Sequence, residues 1–275
     1  MLQGSLDLYA ELHARTKTPA SQVSRDRTYG PGERHRLDVF APPDKGATRR
    51  PVLIFVHGGG FVSGDKSRPN TPYYDNIGQW AVAHGFIGVT MTYRLAPQHP
   101  WPAGAEDVGL AVEWVARNIA GHGGDPTDIF LMGQSAGAVH VANYLTDARF
   151  HRSAGRALAG ALLISGVYDL AIADRNQFQK AYYGPDDSKW SEFSSLPGLV
   201  STDLPLLVTV SELDPDDFQR QAAAFVAGRM AHKHEYPRLL YLQGHNHLSS
   251  VLQIGTDADS LGPEIESFMR HVTHG

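Results

Sequence analysis

Gly-Gln-Ser-Ala-Gly, at residues 133–137, stands between a short apolar run and a run of helix-forming residues. The apolar run, Ile-Phe-Leu-Met at 129–132, predicts a buried strand, and residues 138–145 predict a helix. A serine at a tight turn between a strand and a helix holds its hydroxyl clear of the backbone, and small neighbours fit such a crowded turn. The five residues alone are equally typical of an ordinary Gly/Ser turn, so the interpretation depends on the rest of the chain.

A glycine run, His-Gly-Gly-Gly-Phe at 57–61, follows the apolar residues 52–56, which predict another buried strand. Backbone N–H groups in such a loop are free to face a ligand. Donors of this kind hold an oxyanion, and losing one costs about 3–4 kcal/mol of transition-state stabilisation. A flexible loop and a phosphate-binding loop are the alternatives. A dinucleotide site needs G-x-G-x-x-G and a P-loop needs G-K-[ST], and residues 61–65, Phe-Val-Ser-Gly-Asp, supply neither.

An acid and a base follow two later predicted strands. Residues 206–210 run into Ser-Glu-Leu-Asp-Pro at 211–215, and residues 238–242 are soon followed by Gly-His-Asn-His at 244–247. A nucleophilic serine needs a base to take its proton, and that base needs a third group that fixes its tautomer. The order serine, acid, histidine along the chain is the order of one hydrolase fold and differs from other serine hydrolase architectures.

With these motifs the chain resembles the α/β-hydrolases, and among them the hormone-sensitive-lipase-like carboxylesterases, close to small bacterial feruloyl-esterase and arylformamidase-like relatives. The resemblance extends from about residue 34 to the C-terminus. The matching residues are those at 57–61, 93–97, 101–103, 106–108, 133–137, 214–215 and 246–247. Together these motifs are specific in order and spacing.

The resemblance implies a role for each of several residues. Ser135 is the predicted nucleophile, and Gly59 and Gly60 are the implied oxyanion donors. The N–H of Ala136 is expected to face the same oxyanion, because this residue begins the helix after the turn. A purely structural glycine run is the alternative for residues 58–60.

Two histidines compete for the base, His245 and His247. They are one residue apart, so on an extended segment both would point the same way. The family pattern places the base directly after an asparagine, and this selects His247. His245 is then expected to be a loop histidine near the entrance.

Four acidic side chains compete for the third position, and all lie in one loop: Glu212, Asp214, Asp216 and Asp217. The residue before Pro215 matches the family acid, so Asp214 is the predicted partner of the histidine. Asp216 and Asp217 are expected to cap or begin the following helix, where negative charge is favoured.

Other reactive side chains are expected to be structural. In this motif His57 braces the glycine loop through hydrogen bonds. Glu106 and Asp107 resemble a paired-carboxylate site, but their place at a predicted helix start explains the charge. Four histidines, at 232, 234, 245 and 247, could together suggest a metal site. They fall on a predicted helix end, a turn and a strand end, and we expect no metal there.

The bulk properties exclude several functions. The 275 residues carry a net charge of -5 and no cysteine, which excludes disulfides, thiolate catalysis and Cys-based zinc sites. No basic run indicates nucleic acid, and no apolar stretch is long enough to span a membrane. The first residues lack the pattern of a signal peptide, so a soluble, cytoplasmic protein without cofactor is expected unless a leader was removed.

Strands that alternate with helices predict an α/β fold: a doubly wound, mostly parallel sheet with helices on both faces and a small or reduced cap. One domain is expected over residues 1–275. Residues 21–32 are turn-rich, residues 37–40 alternate like an edge strand, and residues 71–84 predict a helix. The aromatic-rich segment 167–203 is the predicted lid or pocket wall, with a packed surface loop as the alternative.

These observations predict a serine carboxylesterase that cleaves short-chain or aryl esters through an acyl-enzyme. An arylformamidase or another amide hydrolase on the same three residues is an alternative, and a ligand receptor on an inactivated hydrolase fold is another. The expected partner is a small ester. Relatives often dimerise through the sheet edge, and the sequence leaves a homodimer open.

Overall fold

The computed structural model describes residues 2–16, 20–44, 49–151 and 158–274. These residues form one eight-stranded sheet in the order β1-β2-β4-β3-β5-β6-β7-β8, in which β1 and β2 are antiparallel to their neighbours and β3 to β8 are parallel. The strands are β1 (Gln22–Thr28), β2 (Arg36–Ala41), β3 (Arg50–Val56), β4 (Ile87–Met91), β5 (Gly124–Gln134), β6 (Leu158–Ile164), β7 (Leu206–Leu213) and β8 (Leu239–Asn246).

Helices cover both faces of this sheet, as predicted. The helices are α1 (Leu2–Arg15), α2 (Asp75–Ala83), α3 (Ala103–Asn118), α4 (Ala136–Thr146), α5 (Gln177–Tyr183), α6 (Leu196–Ser201), α7 (Asp216–Lys233), α8 (Ser249–Leu252) and α9 (Gly262–His274). One apolar cluster joins α3, α4 and α7 to one face of the sheet, and a second joins α2, α8 and α9 to the other. The predicted fold class is confirmed.

Strand β5 shows how the pattern of side chains creates two faces. Ile129 and Leu131 belong to the α3/α4/α7 cluster, whereas Phe130 and Met132 belong to the cluster on the opposite face. Successive side chains of a strand alternate between faces, so an unbroken apolar run is what a strand covered on both sides requires.

Two predictions at the start of the sheet were wrong. Residues 22–28, interpreted as turn-rich, form β1, which lies at the edge with mostly exposed side chains. Residues 37–40, interpreted as an edge strand, belong to β2, which lies between β1 and β4. The apparent alternation came from Asp38, which is fully buried and paired with Arg25 and Lys66 rather than facing water.

The helix predicted over residues 71–84 begins later, at Asp75, because residues 71–74 form a turn that precedes α2. The segment 167–203 holds α5, a 3₁₀ helix (Asp187–Phe193) and α6. Five of its buried apolar side chains share a small cluster with Phe61 of the glycine loop and with Ala136 and Val139 of α4: Val167, Leu170, Ala173, Tyr182 and Trp190. The segment is therefore packed directly onto the elements that carry the predicted nucleophile and oxyanion donors.

Candidate active site

Ser135 occupies the turn between β5 and α4, in a backbone conformation that few non-glycine residues adopt (φ 56°, ψ −121°). Its N–H donates to the carbonyl of Ile164 on the neighbouring strand at 2.9 Å. A Cβ on Gly133 would lie 2.4 Å from the Gly137 carbonyl oxygen, and one on Gly137 would lie 2.0 Å from that of Val56. The glycines on either side of the serine are therefore required by space, as the sequence predicted.

His247 lies in the turn after β8, and its imidazole joins two of the predicted side chains. Nε2 is 2.8 Å from the Ser135 hydroxyl, and Nδ1 is 2.7 Å from Oδ1 of Asp214. The side-chain amide of Gln134 donates to the His247 carbonyl at 2.8 Å and so ties this turn to the one that carries the serine. An Nδ1–H that donates to the carboxylate leaves Nε2 free to accept the hydroxyl proton.

Asp214 follows β7 and its carboxylate is fully buried. Oδ2 accepts hydrogen bonds from the Ser165 hydroxyl at 2.6 Å and from the Ser211 N–H at 2.7 Å, so Oδ1 is directed at His247. The side chain of Gln219 donates to the Asp214 carbonyl at 2.9 Å. The carboxylate is thus oriented by neutral donors on β7 and at the end of β6.

The glycine loop is fixed by hydrogen bonds to two of its carbonyl groups. Nδ1 of His57 donates to the Gly58 carbonyl at 2.6 Å, and the N–H and hydroxyl of Ser63 donate to the Gly59 carbonyl at 3.1 and 2.9 Å. In a planar trans peptide the N–H points opposite to the preceding C=O. Fixing these carbonyls therefore also fixes the directions of the N–H groups of Gly59 and Gly60.

A third N–H is oriented in the same way. The Ser135 carbonyl accepts from the Val139 N–H at 3.2 Å within the first turn of α4, so the Ala136 N–H points out of the helix N-terminus. Within the part of the chain that the structure describes, the N–H groups of Gly59, Gly60 and Ala136 donate to no protein acceptor. The three residues border the same cavity as Ser135.

That cavity has a volume of about 720 Å³. One part of its wall comes from α1, the turn before α2, and α8, through Leu6, Tyr73, Tyr74, Leu248 and Leu252. The segment 167–203 and α7 supply another part, which includes Val167, Asp174, Asn176, Phe178, Gln179, Asp217 and Phe218. A mostly apolar cleft with a few convergent polar groups is the usual form of a small-molecule site.

His57 and His140 are fully buried beneath the site and do not border the cavity. Burial lowers the pKa of His57 to about 4 and that of His140 to about 3. Tyr93 packs between them, with ring centroids 4.3 and 4.5 Å away. His57 is therefore neutral, and its hydrogen bond to the loop agrees with the predicted bracing role.

His245 does not point the same way as His247, because β8 ends at Asn246 and the chain turns there. Its ring nitrogens face the hydroxyls of Ser249 and Ser260, at 3.1 and 3.2 Å. His245 lies within β8 and does not border the cavity, so the prediction of a loop histidine was wrong.

The sequence placed four acidic residues in one loop, but Glu212 lies in β7, and Asp216 and Asp217 lie in α7. Glu212 accepts from the Gly244 N–H at 2.7 Å, and Asp217 accepts from the Asp174 N–H and the Gln179 side chain. Asp216 and Asp217 lie in the first turn of α7, where the sequence placed them.

Glu106 and Asp107 lie near the start of α3, which begins at Ala103, and both carboxylates are paired with the Arg94 guanidinium. Asp107 accepts from His35 Nε2 at 2.9 Å and from the Arg94 side chain and backbone. Burial raises the pKa of Asp107, but the hydrogen bonds from His35 and Arg94 outweigh it and bring the pKa below its ordinary value. This group ties α3 to the end of β4.

Over residues 2–16, 20–44, 49–151 and 158–274, no three His, Asp or Glu side chains are arranged to hold a metal ion. In the same ranges, no helix has both the length and the apolar character needed to cross a bilayer.

Sequence reasoning missed several contributors to the site. Ser165 was not singled out from the sequence, although the carboxyl end of a parallel strand next to β5 is where a site residue is expected. Phe218 packs on the His247 ring at 4.3 Å, and the Ser5 hydroxyl of α1 accepts from the Asn246 side chain at 2.9 Å. No sequence pattern indicated either contact, because each depends on how separate elements approach in three dimensions.

A hydroxyl, an imidazole and a carboxylate in series at the carboxyl edge of a doubly wound sheet are the arrangement typical of an α/β-hydrolase. A family model described as alpha/beta hydrolase fold matches residues 53–239, and the chain belongs to this family. The resemblance to hormone-sensitive-lipase-like carboxylesterases stated from the sequence is confirmed at this level.

Three known proteins illustrate the similarity. Esterase LipQ of Mycobacterium tuberculosis is 35% identical over 204 residues, which cover 71% of this chain and 47% of that protein. Isoprenylcysteine alpha-carbonyl methylesterase of Arabidopsis thaliana is 35% identical over 123 residues, 45% of this chain and 27% of that protein. The alignments thus span about half or less of these relatives' lengths. The crystal structure of esterase B from Lactobacillus rhamnosis superposes with a TM-score of 0.79 at 16% identity, covering 99% of this chain and 92% of that one, and shares the fold.

Proposed function

We propose that this protein is a serine hydrolase of carboxylic esters, with Ser135 as nucleophile, His247 as base and Asp214 as the acid that orients it. The observation that carries the proposal is the continuous hydrogen-bonded series from hydroxyl to imidazole to carboxylate, with distances of 2.8 and 2.7 Å, at the wall of a 720 Å³ cavity. The names of several relatives and structural neighbours, which are esterases, support the same reaction class.

In the proposed reaction, Nε2 of His247 takes the Ser135 proton as Oγ attacks the ester carbonyl. The tetrahedral oxyanion accepts hydrogen bonds from the N–H groups of Gly59, Gly60 and Ala136. The alcohol then leaves with the proton held by His247, and an acyl-enzyme remains on Ser135. A water molecule, deprotonated by the same imidazole, releases the acid, and Asp214 stabilises the imidazolium in both halves.

The proposed substrates are short-chain or aryl carboxylic esters. The cavity is large enough for a small ester and presents more apolar than polar surface, and the side-chain-free glycine loop forms part of its wall. The three free N–H groups can donate hydrogen bonds to the negative charge that develops on the carbonyl oxygen. Stabilising this charge is usually the largest electrostatic contribution to the catalysis of acyl transfer.

A fluorophosphonate probe tests the nucleophile. We expect label on Ser135 of the folded protein, lost in Ser135→Ala, and hydrolysis of p-nitrophenyl acetate lost in the same variant. Folded wild-type protein that takes no label would favour the receptor alternative. Much faster cleavage of N-formylkynurenine than of p-nitrophenyl acetate would replace the ester assignment with the formamide one.

A further inference from the structure

Phe178 is an exposed apolar side chain at the mouth of the cavity. This residue is 42% exposed, although burying a large apolar side chain stabilises the folded protein. Ile172, in the same segment 167–203, is 41% exposed but does not border the cavity. The two residues are therefore almost equally exposed, but only Phe178 borders the cavity.

The Phe178 ring lies directly on the glycine loop. A Cβ built on Gly60 would be 3.1 Å from two atoms of this ring, so the ring rests against the backbone of one proposed oxyanion donor. Residues 58–60 carry no side chains of their own. The ring of Phe178 consequently provides the apolar side-chain surface that rises above this part of the loop.

The ring is presented by a well-fixed backbone. The Asn176 side chain accepts from the N–H groups of Phe178 and Gln179 at 3.0 Å, and the Gln179 side chain accepts from the Asn176 N–H at 3.0 Å. This reciprocal capping box orders the first turn of α5. Gln179 also donates to the buried carboxylate of Asp217, which anchors α5 to α7. Because this backbone is already ordered, only the two side-chain torsions of the ring remain to be fixed when a ligand packs against it.

The reaction geometry relates the position of this ring to one part of the substrate. The carbonyl oxygen of a bound ester turns toward the loop N–H groups, and the leaving oxygen must come within reach of His247, whose ring is covered by Phe218. Phe178 lies against Gly60, at the loop and not at the imidazole. The acyl group is the remaining substituent of the ester, and in this arrangement it passes next to Phe178.

We propose that Phe178 determines acyl specificity and that its ring stacks against a flat aromatic acyl group, so that the preferred substrates are aryl-substituted carboxylic esters such as arylacetates. Aromatic pairs gain from offset or edge-to-face packing beyond the area they bury, and a saturated ring of equal size lacks this gain. The inference rests on the proposed function and specifies its substrate class.

The test compares two p-nitrophenyl esters with the same leaving group, phenylacetate and cyclohexylacetate. For each protein, kcat/KM on the phenylacetate is divided by kcat/KM on the cyclohexylacetate. When this ratio is compared between wild type and a variant, the difference in intrinsic reactivity of the two esters cancels. We expect Phe178→Ala to lower the phenylacetate to cyclohexylacetate ratio about tenfold, within the range by which apolar pocket contacts discriminate substrates. Phe178→Tyr should keep the ratio within about twofold. Ile172→Ala is the matched control and should leave it unchanged.

An equal loss on both esters would assign Phe178 a structural role beside the loop and overturn the proposal, and so would an unchanged ratio in Phe178→Ala. Binding of two uncleavable ketones, benzyl methyl ketone and cyclohexylmethyl methyl ketone, to the same proteins gives a readout independent of turnover. If wild type cleaves neither ester, the proposed function fails. A benzyl preference in binding that disappears in Phe178→Ala would still support the aromatic subsite, and no such preference would refute it.

Discussion

Two histidine–aspartate pairs in this molecule have similar imidazole–carboxylate distances and different surroundings. His247 lies 2.7 Å from Asp214, and His35 lies 2.9 Å from Asp107. Both carboxylates are fully buried, but the His247 side chain is 23% exposed and that of His35 is 3% exposed. The contact between imidazole and carboxylate is therefore not what distinguishes a proposed catalytic pair from a structural one.

The two pairs differ first in what the other nitrogen of the imidazole contacts. Nδ1 of His35 accepts from the Gly32 N–H at 2.9 Å, a backbone group that keeps its proton. Nε2 of His247 faces the Ser135 hydroxyl, whose proton it can take. Only one of the two imidazoles is thus placed between a carboxylate and a group that it can deprotonate.

The charge on the carboxylate makes the second difference. Asp107 is bound by the Arg94 guanidinium at 2.7 Å, so its charge is already matched by a permanent cation. The hydrogen bonds to the Asp214 carboxylate, other than the one from His247, come from a serine hydroxyl and a backbone N–H. Its negative charge is therefore available to an imidazolium when one forms.

The largest effect separates the two histidines. His247→Ala should lower kcat on p-nitrophenyl acetate by about 10⁶-fold, because the hydroxyl loses its base. His35→Ala should leave kcat of the folded protein within about threefold and lower the thermal midpoint, because the buried Asp107 loses a donor. Steady-state kinetics and circular dichroism melts of both variants measure this contrast. Comparable kinetic losses in the two variants would contradict the distinction drawn between the pairs.

Substituting the two aspartates should also affect activity in one pair and stability in the other, with a smaller loss of kcat than for His247→Ala. Asp214→Asn keeps the shape but favours the wrong imidazole tautomer, and a loss of about 10⁴-fold in kcat is expected with a nearly unchanged melting temperature. Asp107→Asn leaves Arg94 without its buried partner and should cost about 3–5 kcal/mol of unfolding free energy. Urea titrations and kinetics on both variants provide the measurement. Full activity in Asp214→Asn would remove that residue from the proposed mechanism.

His57 and His140 are fully buried histidines that pair with no carboxylate among the residues that the structure describes. The folded-state pKa values of His57 and His140, about 4 and about 3, lie below the ordinary histidine value. The unfolded chain therefore binds more protons between these values and about pH 6.5, so stability is complete above about pH 6.5 and falls as the pH is lowered toward 4. One pKa unit corresponds to about 1.4 kcal/mol, so a loss of a few kcal/mol per histidine is expected.

Urea unfolding at several pH values checks this expectation with a matched pair of variants. His140→Gln removes a buried titrating group and should flatten the pH dependence between about pH 6.5 and 4, whereas His232→Gln changes an exposed histidine and should retain the wild-type slope. Equal slopes in all three proteins would show that burial of His140 does not control acid stability.

The grouping of Ser135, His247 and Asp214 could be predicted because each follows a strand of a parallel sheet, and the carboxyl ends of such strands share one edge. The errors had physical causes of two kinds. Strand β1 is a polar edge strand and lacks an apolar pattern, while Asp38 of β2 imitates a solvent-facing position although it is buried in an ion-pair network. The contacts of Phe178 with Gly60 depend on tertiary packing that local pattern does not encode.

The smallest effect concerns the two neighbouring histidines of the β8 turn. His245→Ala should keep kcat within about threefold of wild type, because its ring contacts Ser249 and Ser260 and not the Ser135 hydroxyl. A small decrease is expected since the Ser249 hydroxyl, which accepts from the Asn246 N–H at 2.9 Å, helps to hold the turn that carries His247. Kinetics of His245→Ala beside His247→Ala give the comparison. If His245→Ala proved the more damaging of the two, the base would have to be reassigned, because the structure places only the His247 imidazole at the Ser135 hydroxyl.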